Sequence, residues 1–257
     1  MWVEVLRFTI GWAVFFYAVA CSVAILERAG LALQPSSKAH ENSVFVLAQG
    51  VGCTTKSLIV SLMGIYVVWA HWDEPAQAHF AGSVAGSDLA FTAGMLFGSF
   101  EIMDVFTSFL HNMLDAVQFI HHGVHVGIGC IMMYNCGPHF STAVLLAQDL
   151  SSVFLNPYLL FRHRYPNHPA TVALYAVFAV VFVVVRIILC TWGTYYYINH
   201  YQEHLVDVEA RLFPAWQAHL LAAALVTGSI MQFAFFCKVV TNALRMLRPE
   251  VPQKKAE

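Results

Sequence analysis

The chain has 257 residues, of which 59% are hydrophobic and only 11% are charged. A soluble domain carries roughly 25% charged residues, so this chain has too few charges to solvate its surface and must expose apolar groups to lipid. The formal net charge of −2 also argues against a nucleic-acid partner, which needs a basic face. Composition therefore excludes a soluble enzyme and a DNA-binding protein.

A helix that crosses a bilayer needs about 20 mostly apolar residues. Seven stretches meet this requirement, which predicts an all-α membrane protein with seven transmembrane helices. We divide the chain into a first helix with its loop (1–43), a six-span domain (44–240) and a tail (241–257). The predicted spans are 8–26, 44–70, 88–110, 114–135, 141–162, 170–192 and 215–240.

The first span could instead be a signal peptide, because Ala18-Val19-Ala20 resembles a cleavage site. Its leading segment balances Glu4 against Arg7, whereas a signal peptide begins with net positive charge. We therefore expect a retained span.

Lysine and arginine outside the predicted spans fall mainly on one side of the membrane. The positive-inside rule makes that side cytosolic, so the C-terminus is expected in the cytosol and the N-terminus across the membrane. The final Lys254-Lys255-Ala256-Glu257 resembles a dilysine signal of the endoplasmic reticulum, the alternative being a basic tail attracted to anionic lipid. The cytosolic set is Arg28, Lys38, Arg162, Arg164, Arg245, Arg248, Lys254 and Lys255, against Arg7 and Arg211.

Several ionisable residues lie within the predicted spans. A charge at the bilayer centre costs roughly 2.5–3.5 kcal/mol on insertion scales, so such groups face a polar interior and are functional candidates. Glu101 and Asp104, three residues apart, share a helix face. We expect a pocket that opens to the cytosol and is lined by Lys56, Glu101, Asp104, Asp149, Arg186, His121, His122 and His125.

The histidines allow three interpretations: interhelical hydrogen bonding, metal binding through His121 and His125, or acyl-transfer and lipid-site chemistry. The chain lacks the repeated His-x-x-His-His boxes of membrane di-iron enzymes, so we predict no metal site. The six cysteines form no CxxC pair, and we interpret them as small buried hydrophobic residues. Lys56 and Arg186 also qualify as structural ion-pair partners of the acids.

Four motifs of the chain point to a known family. They are the run from Gly98 to Asp104, FIHH (Phe119 to His122), LLAQDLSSVFLN (Leu145 to Asn156) and VVFVVVRII (Val180 to Ile188). Together they resemble the TLC domain, the family of ceramide synthases, the translocating-chain-associated membrane protein and small TLC-domain proteins. The resemblance covers residues 44–240 and implies a six-helix barrel with one extra N-terminal span.

The chain departs from the ceramide-synthase pattern at two positions. Gln148 stands where those enzymes have a histidine, and Ser152 stands where a second aspartate is expected. The run from Asp149 to Ser152 is more similar to the Glu-Leu-Ser-Ser pattern of the small TLC-domain proteins. The resemblance is therefore closest to that group, and the acceptor need not be a sphingoid base.

The resemblance implies transfer of a fatty acyl group from acyl-CoA to a lipid acceptor in the endoplasmic reticulum membrane. His121 or His122 would act as nucleophile or general base, and Asp149 or Asp104 would orient the imidazole. Acyl-CoA is then a cosubstrate, with no bound cofactor and no metal. The candidate substrate-binding residues are Glu101, Lys56, Ser152, Asn156, Arg162 and Arg164.

The alternative is a protein without turnover that binds or senses lipid, or escorts cargo, and so controls membrane lipid composition. The two departures from the ceramide-synthase pattern favour it, whereas the adjacent histidines and the acids oppose it. In both cases the expected partners are membrane lipids and fatty acyl chains, with a homodimer left open and no nucleic acid.

Overall fold

The chain folds into long helices, and the described residues contain no strand. The computed structural model describes residues 2–29, 43–74, 84–113, 119, 122–127, 139–162, 165, 167–206 and 215–247. Its elements are α1 (Trp2–Arg28), α2 (Ser43–Ala70), α3 (Val84–Leu110), α4 (His139–Ala147), a 3₁₀ turn (Gln148–Ser151), α5 (Ser152–Phe161), α6 (Pro169–Phe182), a π-helical segment (Val183–Leu189), α7 (Cys190–Val206) and α8 (Ala215–Leu247).

Among the described residues, six helices are long and apolar enough to cross a membrane. They confirm six of the predicted spans and establish a multi-pass all-α membrane protein. The fourth predicted span, 114–135, lies largely outside the described residues, although residues 122–127 within it are helical. The six spans are Trp2–Arg28, Val44–Ala70, Leu89–Leu110, Phe140–Phe161, Pro169–His200 and His219–Leu244.

The helix ends carry recognisable local signals. Pro169 occupies the first turn of α6, where its missing N–H removes no intrahelical bond, and the His168 ring accepts a hydrogen bond from the Ala170 N–H. After α3, Asn112 adopts a left-handed conformation with φ 53°, and the Met113 N–H returns to the Ser108 carbonyl. This left-handed closure satisfies a carbonyl of the last turn and stops the helix.

Helix α2 occupies the centre of the bundle, packing against α1, α3, α4 and α5. Two glycines allow close helix approach, as small residues do in membrane bundles. A Cβ added at Gly64 would stand 2.6 Å from the Ala143 carbonyl oxygen, and one at Gly193 would stand 2.6 Å from a methyl carbon of Val144. Helix α4 is therefore held tightly between α2 and α7, which fixes the 3₁₀ turn that follows it.

Helix α1 joins the bundle through aromatic side chains. The Trp12 indole donates to the Leu96 carbonyl at 3.1 Å and meets the Phe100 ring edge-to-face, while Phe16 is almost fully buried. Apolar side chains on its other face, including Ile10 and Val14, remain exposed in the orientation expected for contact with lipid.

Candidate functional site: a buried ion network

The centre of the bundle contains ionisable side chains. Lys56 on α2 and Glu101 and Asp104 on α3 are 6%, 4% and 1% exposed. All three lie within membrane-spanning helices, where isolated charges are strongly disfavoured. Their burial is therefore tolerable only because they are paired with one another and with neighbouring helices.

Lys56 bridges two carboxylates from different helices. Its Nζ lies 3.2 Å from Glu101 Oε1 and 2.7 Å from Asp149 Oδ2. The same ammonium stands over the ring of Phe97, 4.5 Å from the centroid, which adds a cation–π contact. Ser57 reaches the same Asp149 oxygen at 3.4 Å. Lys56 is thus the central cation of the network and ties α2 to α3 and to the 3₁₀ turn.

His122 sits between two acids of α3. Its Nδ1 lies 2.5 Å from Glu101 Oε2, and its Nε2 lies 3.3 Å from Asp104 Oδ2. Glu101 and Asp104 are one helical turn apart, so a single imidazole can face both carboxylates. A neutral imidazole has only one N–H, and the lone pair of its other nitrogen would face a carboxylate. This geometry is satisfied when one further proton resides on His122 or on Asp104.

Asp104 is held from its other side by an amide. Gln49 Nε2 donates to Asp104 Oδ1 at 2.9 Å and also reaches Ser108 Oγ at 3.0 Å. The second oxygen, Asp104 Oδ2, is fully buried; it faces His122 Nε2 at 3.3 Å but accepts no well-formed hydrogen bond from the described residues. A buried acceptor without a donor is costly, so this oxygen is a place where a proton or a substrate donor would be stabilised.

Asp149 lies on an interruption of the helix. The 3₁₀ turn Gln148–Ser151 separates α4 from α5, and a 3₁₀ turn rotates the following residues relative to a regular α-helix. Six residues beyond this turn, Pro157 lies inside α5 without a backbone N–H to donate. From the 3₁₀ turn, the Asp149 carboxylate reaches Lys56 on α2.

Arg186 lies on a second irregularity, the π-helical segment Val183–Leu189 within the span Pro169–His200. Its Nε donates to Ser151 Oγ at 2.7 Å, and its Nη2 donates to Ser152 Oγ at 3.1 Å. The nearest carboxylate oxygen, Asp149 Oδ1, is 3.8 Å away. Short π-helical segments occur frequently at functional sites, and here the segment presents a cation to the end of the network.

The structure brings most of the predicted site residues together. Lys56, Glu101, Asp104, His122 and Asp149 form one continuous network. Of the two acids expected beside the imidazole, Asp104 lies 3.3 Å from His122 Nε2, whereas Asp149 pairs with Lys56. The closest carboxylate to the ring is that of Glu101, which was expected to bind substrate.

The other predicted residues lie at the edge of this network or beyond it. Ser152 contacts Arg186, and Asn156 follows one turn later on α5. Arg162 lies at the end of α5, where its backbone N–H donates to the Tyr158 carbonyl. His121 and Arg164 fall outside the described residues.

Four contributing residues were not identified from the sequence: Gln49, Ser57, Ser108 and Ser151. Helical spacing could have identified some of these residues. Gln49 and Lys56 are seven residues apart and share a face of α2, and Asp104 and Ser108 share a face of α3 through the i,i+4 relation.

No group of three or more metal-ligating side chains with suitable geometry occurs within the described parts of the chain. The cysteines with described surroundings, Cys21, Cys53, Cys190 and Cys237, are free. Cys130, Cys136 and the predicted His121–His125 pair cannot be placed, because they lie wholly or partly outside the described ranges.

These features define a multi-pass membrane protein whose helices enclose a charged site within the apolar core. Comparison with protein families narrows the class: the model of the TLC domain matches residues 47–241. The match covers most of the chain, so the chain belongs to the TLC-domain family. No curated protein matches it.

Proposed function

We propose that this TLC-domain protein transfers a fatty acyl group from acyl-CoA to a lipid acceptor within the membrane. The observation that carries the proposal is the His122 imidazole set between Glu101 and Asp104. A histidine oriented by a buried carboxylate is the arrangement that acyl-transfer enzymes use for general acid–base catalysis.

In the proposed reaction, the acceptor hydroxyl or amine gives its proton to His122 Nε2 as the new bond to the acyl carbon forms. Glu101 accepts a hydrogen bond from Nδ1 and stabilises the imidazolium. The carbon–sulfur bond then breaks, and the imidazolium returns the proton to the coenzyme A thiolate. When the acceptor is an amine, its second N–H would donate to Asp104 Oδ2, which accepts no well-formed hydrogen bond from the described residues.

The remaining predicted residues have supporting roles in this proposal. Lys56 and Asp149 hold Glu101 in place through the ion network. His121 stays a candidate nucleophile or base, and Arg162 and Arg164 stay candidates for the coenzyme A phosphates at the cytosolic mouth. The apolar surroundings would hold the acyl chain and keep water from the thioester.

A second candidate function is lipid binding or sensing without turnover. It is favoured by a specific observation: both ring nitrogens of His122 face carboxylates, so neither is free in this conformation. A histidine with a carboxylate at each ring nitrogen can serve as a structural cation that holds the two acids together. In that case the network would stabilise the bundle, and the protein would act on membrane lipid composition by binding lipid or escorting cargo.

The two candidates predict different outcomes for His122→Gln. If acyl transfer is correct, membranes containing the wild-type chain transfer labelled acyl groups from acyl-CoA to lipid, and the variant loses at least about 100-fold of that rate. The measurement is labelled product per amount of folded protein, together with the acyl composition of lipids in expressing cells.

His71→Gln is the matched control. It changes a histidine that contacts Glu74 beyond the end of α2, away from the network, and should retain wild-type transfer. An unchanged rate in His122→Gln would reject the catalytic role of this histidine. A wild-type protein that transfers no acyl group, yet binds lipid as well as the variant does, would support the second candidate.

We further propose an endoplasmic reticulum location with a cytosolic C-terminus. The asymmetric distribution of lysine and arginine supports the orientation of the C-terminus. The resemblance to ceramide synthases supports the location in the endoplasmic reticulum membrane. An epitope after residue 257 should therefore be accessible to antibody when only the plasma membrane is permeabilised, and the protein should co-fractionate with endoplasmic reticulum markers. Protection of the epitope until all membranes are opened would contradict the orientation.

A further inference from the structure

The two cations of the network, Lys56 and Arg186, differ in how many of their N–H groups have an acceptor. Lys56 has two carboxylate partners and lies over an aromatic ring. Arg186 donates only to the hydroxyls of Ser151 and Ser152, and its nearest carboxylate oxygen, on Asp149, is 3.8 Å away. The Asp149 carboxylate is closer to Lys56, at 2.7 Å, so Arg186 is the less neutralised of the two cations.

The Arg186 guanidinium can therefore bind a further acceptor through its remaining N–H groups. It carries five N–H groups, and one on Nε and one on Nη2 are used, which leaves three without an acceptor among the described residues. The side chain is 21% exposed, so it is accessible from a cavity or from lipid. A guanidinium with an unused edge is suited to bidentate binding of a carboxylate or phosphate.

An independent observation comes from Gln148. Its side chain is 7% exposed, and Nε2 is buried without a hydrogen-bond partner among the described residues. In a 3₁₀ turn, residues three apart are eclipsed, so Gln148 lies on the same face as Ser151, which contacts Arg186. An orphaned donor thus lies one turn from a cation with free N–H groups, and both require an acceptor.

A third donor follows on α5. Asn156 lies four residues after Ser152 and therefore one turn along the same helix face. Ser152 itself is 3.1 Å from Arg186 Nη2. A ligand that bridges Arg186 and the α5 face would thus meet a second amide.

We propose that Arg186, Gln148 and Asn156 bind the anionic group, carboxylate or phosphate, of a membrane amphiphile. Arg186 stands near the middle of the span Pro169–His200, so an anion that reaches it from the bilayer would be attached to a hydrocarbon chain. This binding goes beyond acyl transfer and requires no turnover, and it could be present whether or not His122 is catalytic.

The test uses the full chain in neutral phosphatidylcholine nanodiscs and isothermal titration calorimetry, with empty nanodiscs subtracted. The probes are dodecanoate, dodecyl phosphate, uncharged dodecanol and inorganic phosphate. We expect both anionic amphiphiles to bind at least about 10-fold more tightly than dodecanol, because hydrogen bonds between charged groups are about twice as strong as those between neutral groups. Inorganic phosphate should bind far more weakly than dodecyl phosphate.

Three variants assign the binding to these residues. Arg186→Gln should lower the affinity for the two anionic amphiphiles at least about 10-fold and leave dodecanol unchanged. Gln148→Leu and Asn156→Leu should each lower it about 3-fold. Gln148→Leu removes an unpaired buried donor, so it should fold at least as well as the wild type and provides a test even if Arg186→Gln fails to fold.

Lys238→Gln is the control, because it removes a cation from an exposed position of α8 and should not change binding. Equal affinity of the wild type for dodecanol and the anionic amphiphiles would overturn the proposal. Full affinity in both leucine variants would overturn it as well. Equal binding of inorganic phosphate and dodecyl phosphate would overturn the assignment to an amphiphile and identify an aqueous anion as the ligand. Loss of acyl transfer in His122→Gln with unchanged dodecanoate binding would separate this site from the proposed reaction.

Discussion

Lys56→Met is expected to destabilise the folded protein by about 3–5 kcal/mol, because removing one partner of a buried ion pair leaves the other charge uncompensated. Here two carboxylates are affected. Lys56 Nζ lies 3.2 Å from Glu101 and 2.7 Å from Asp149, and without it these acids face each other as like charges in the membrane interior. The measurement is the free energy of unfolding of the purified full chain in mixed micelles.

A matched control and a rescue variant give this prediction its specificity. Arg7→Met breaks the Arg7–Glu4 pair, whose side chains are 70% and 47% exposed, and should cost no more than about 1 kcal/mol. Adding Glu101→Gln and Asp149→Asn to Lys56→Met should recover part of the lost stability, since neutral amides need no cation. The recovery is incomplete because the same changes remove the carboxylates that face His122 and Arg186. A Lys56→Met protein that loses less than Arg7→Met would show that the network does not stabilise the bundle.

The sequence alone was sufficient to predict the membrane class, because burial of apolar surface in lipid depends on composition and length rather than on tertiary detail. The same argument identified the ionisable residues of the core, since each is too costly to expose to lipid. That Glu101 and Asp104 act together also followed from their spacing, because residues three apart share a helix face. Local rules therefore identified the ionisable residues of the network, although not the polar residues that contact them.

The pairings within the site could not be predicted in the same way. Which carboxylate meets His122 depends on how helices rotate against one another, and Asp149 sits on a 3₁₀ turn that shifts its direction from that of a regular helix. The sequence therefore left Asp149 and Asp104 as alternatives for the imidazole. In the structure Asp104 faces Nε2, Asp149 faces Lys56, and Glu101 contacts Nδ1. Gln49 was missed for the same reason, because a glutamine within a span shows a role only when its partner on another helix is known.

Gly64→Ala is expected to cost about 3 kcal/mol, although the change adds only one methyl group. The new Cβ would lie 2.6 Å from the Ala143 carbonyl oxygen and 2.8 Å from the Ala147 amide nitrogen. Both atoms belong to the backbone of α4, so no side-chain rotation can relieve the overlap and the two helices must separate. Overpacking of this kind typically costs 1–3 kcal/mol, and backbone contacts place this case at the upper end. The measurement is again the free energy of unfolding.

Gly11→Ala distinguishes this close approach from the general effect of glycine in a helix. A Cβ at Gly11 would meet nothing within 4 Å, so the change should leave stability unchanged or raise it by up to about 1 kcal/mol through helix propensity. Separation of α2 from α4 at Gly64 would also displace the 3₁₀ turn that carries Asp149, and thereby lengthen the contact between Asp149 and Lys56. A Gly64→Ala protein as stable as Gly11→Ala would show that α2 and α4 do not pack at this distance.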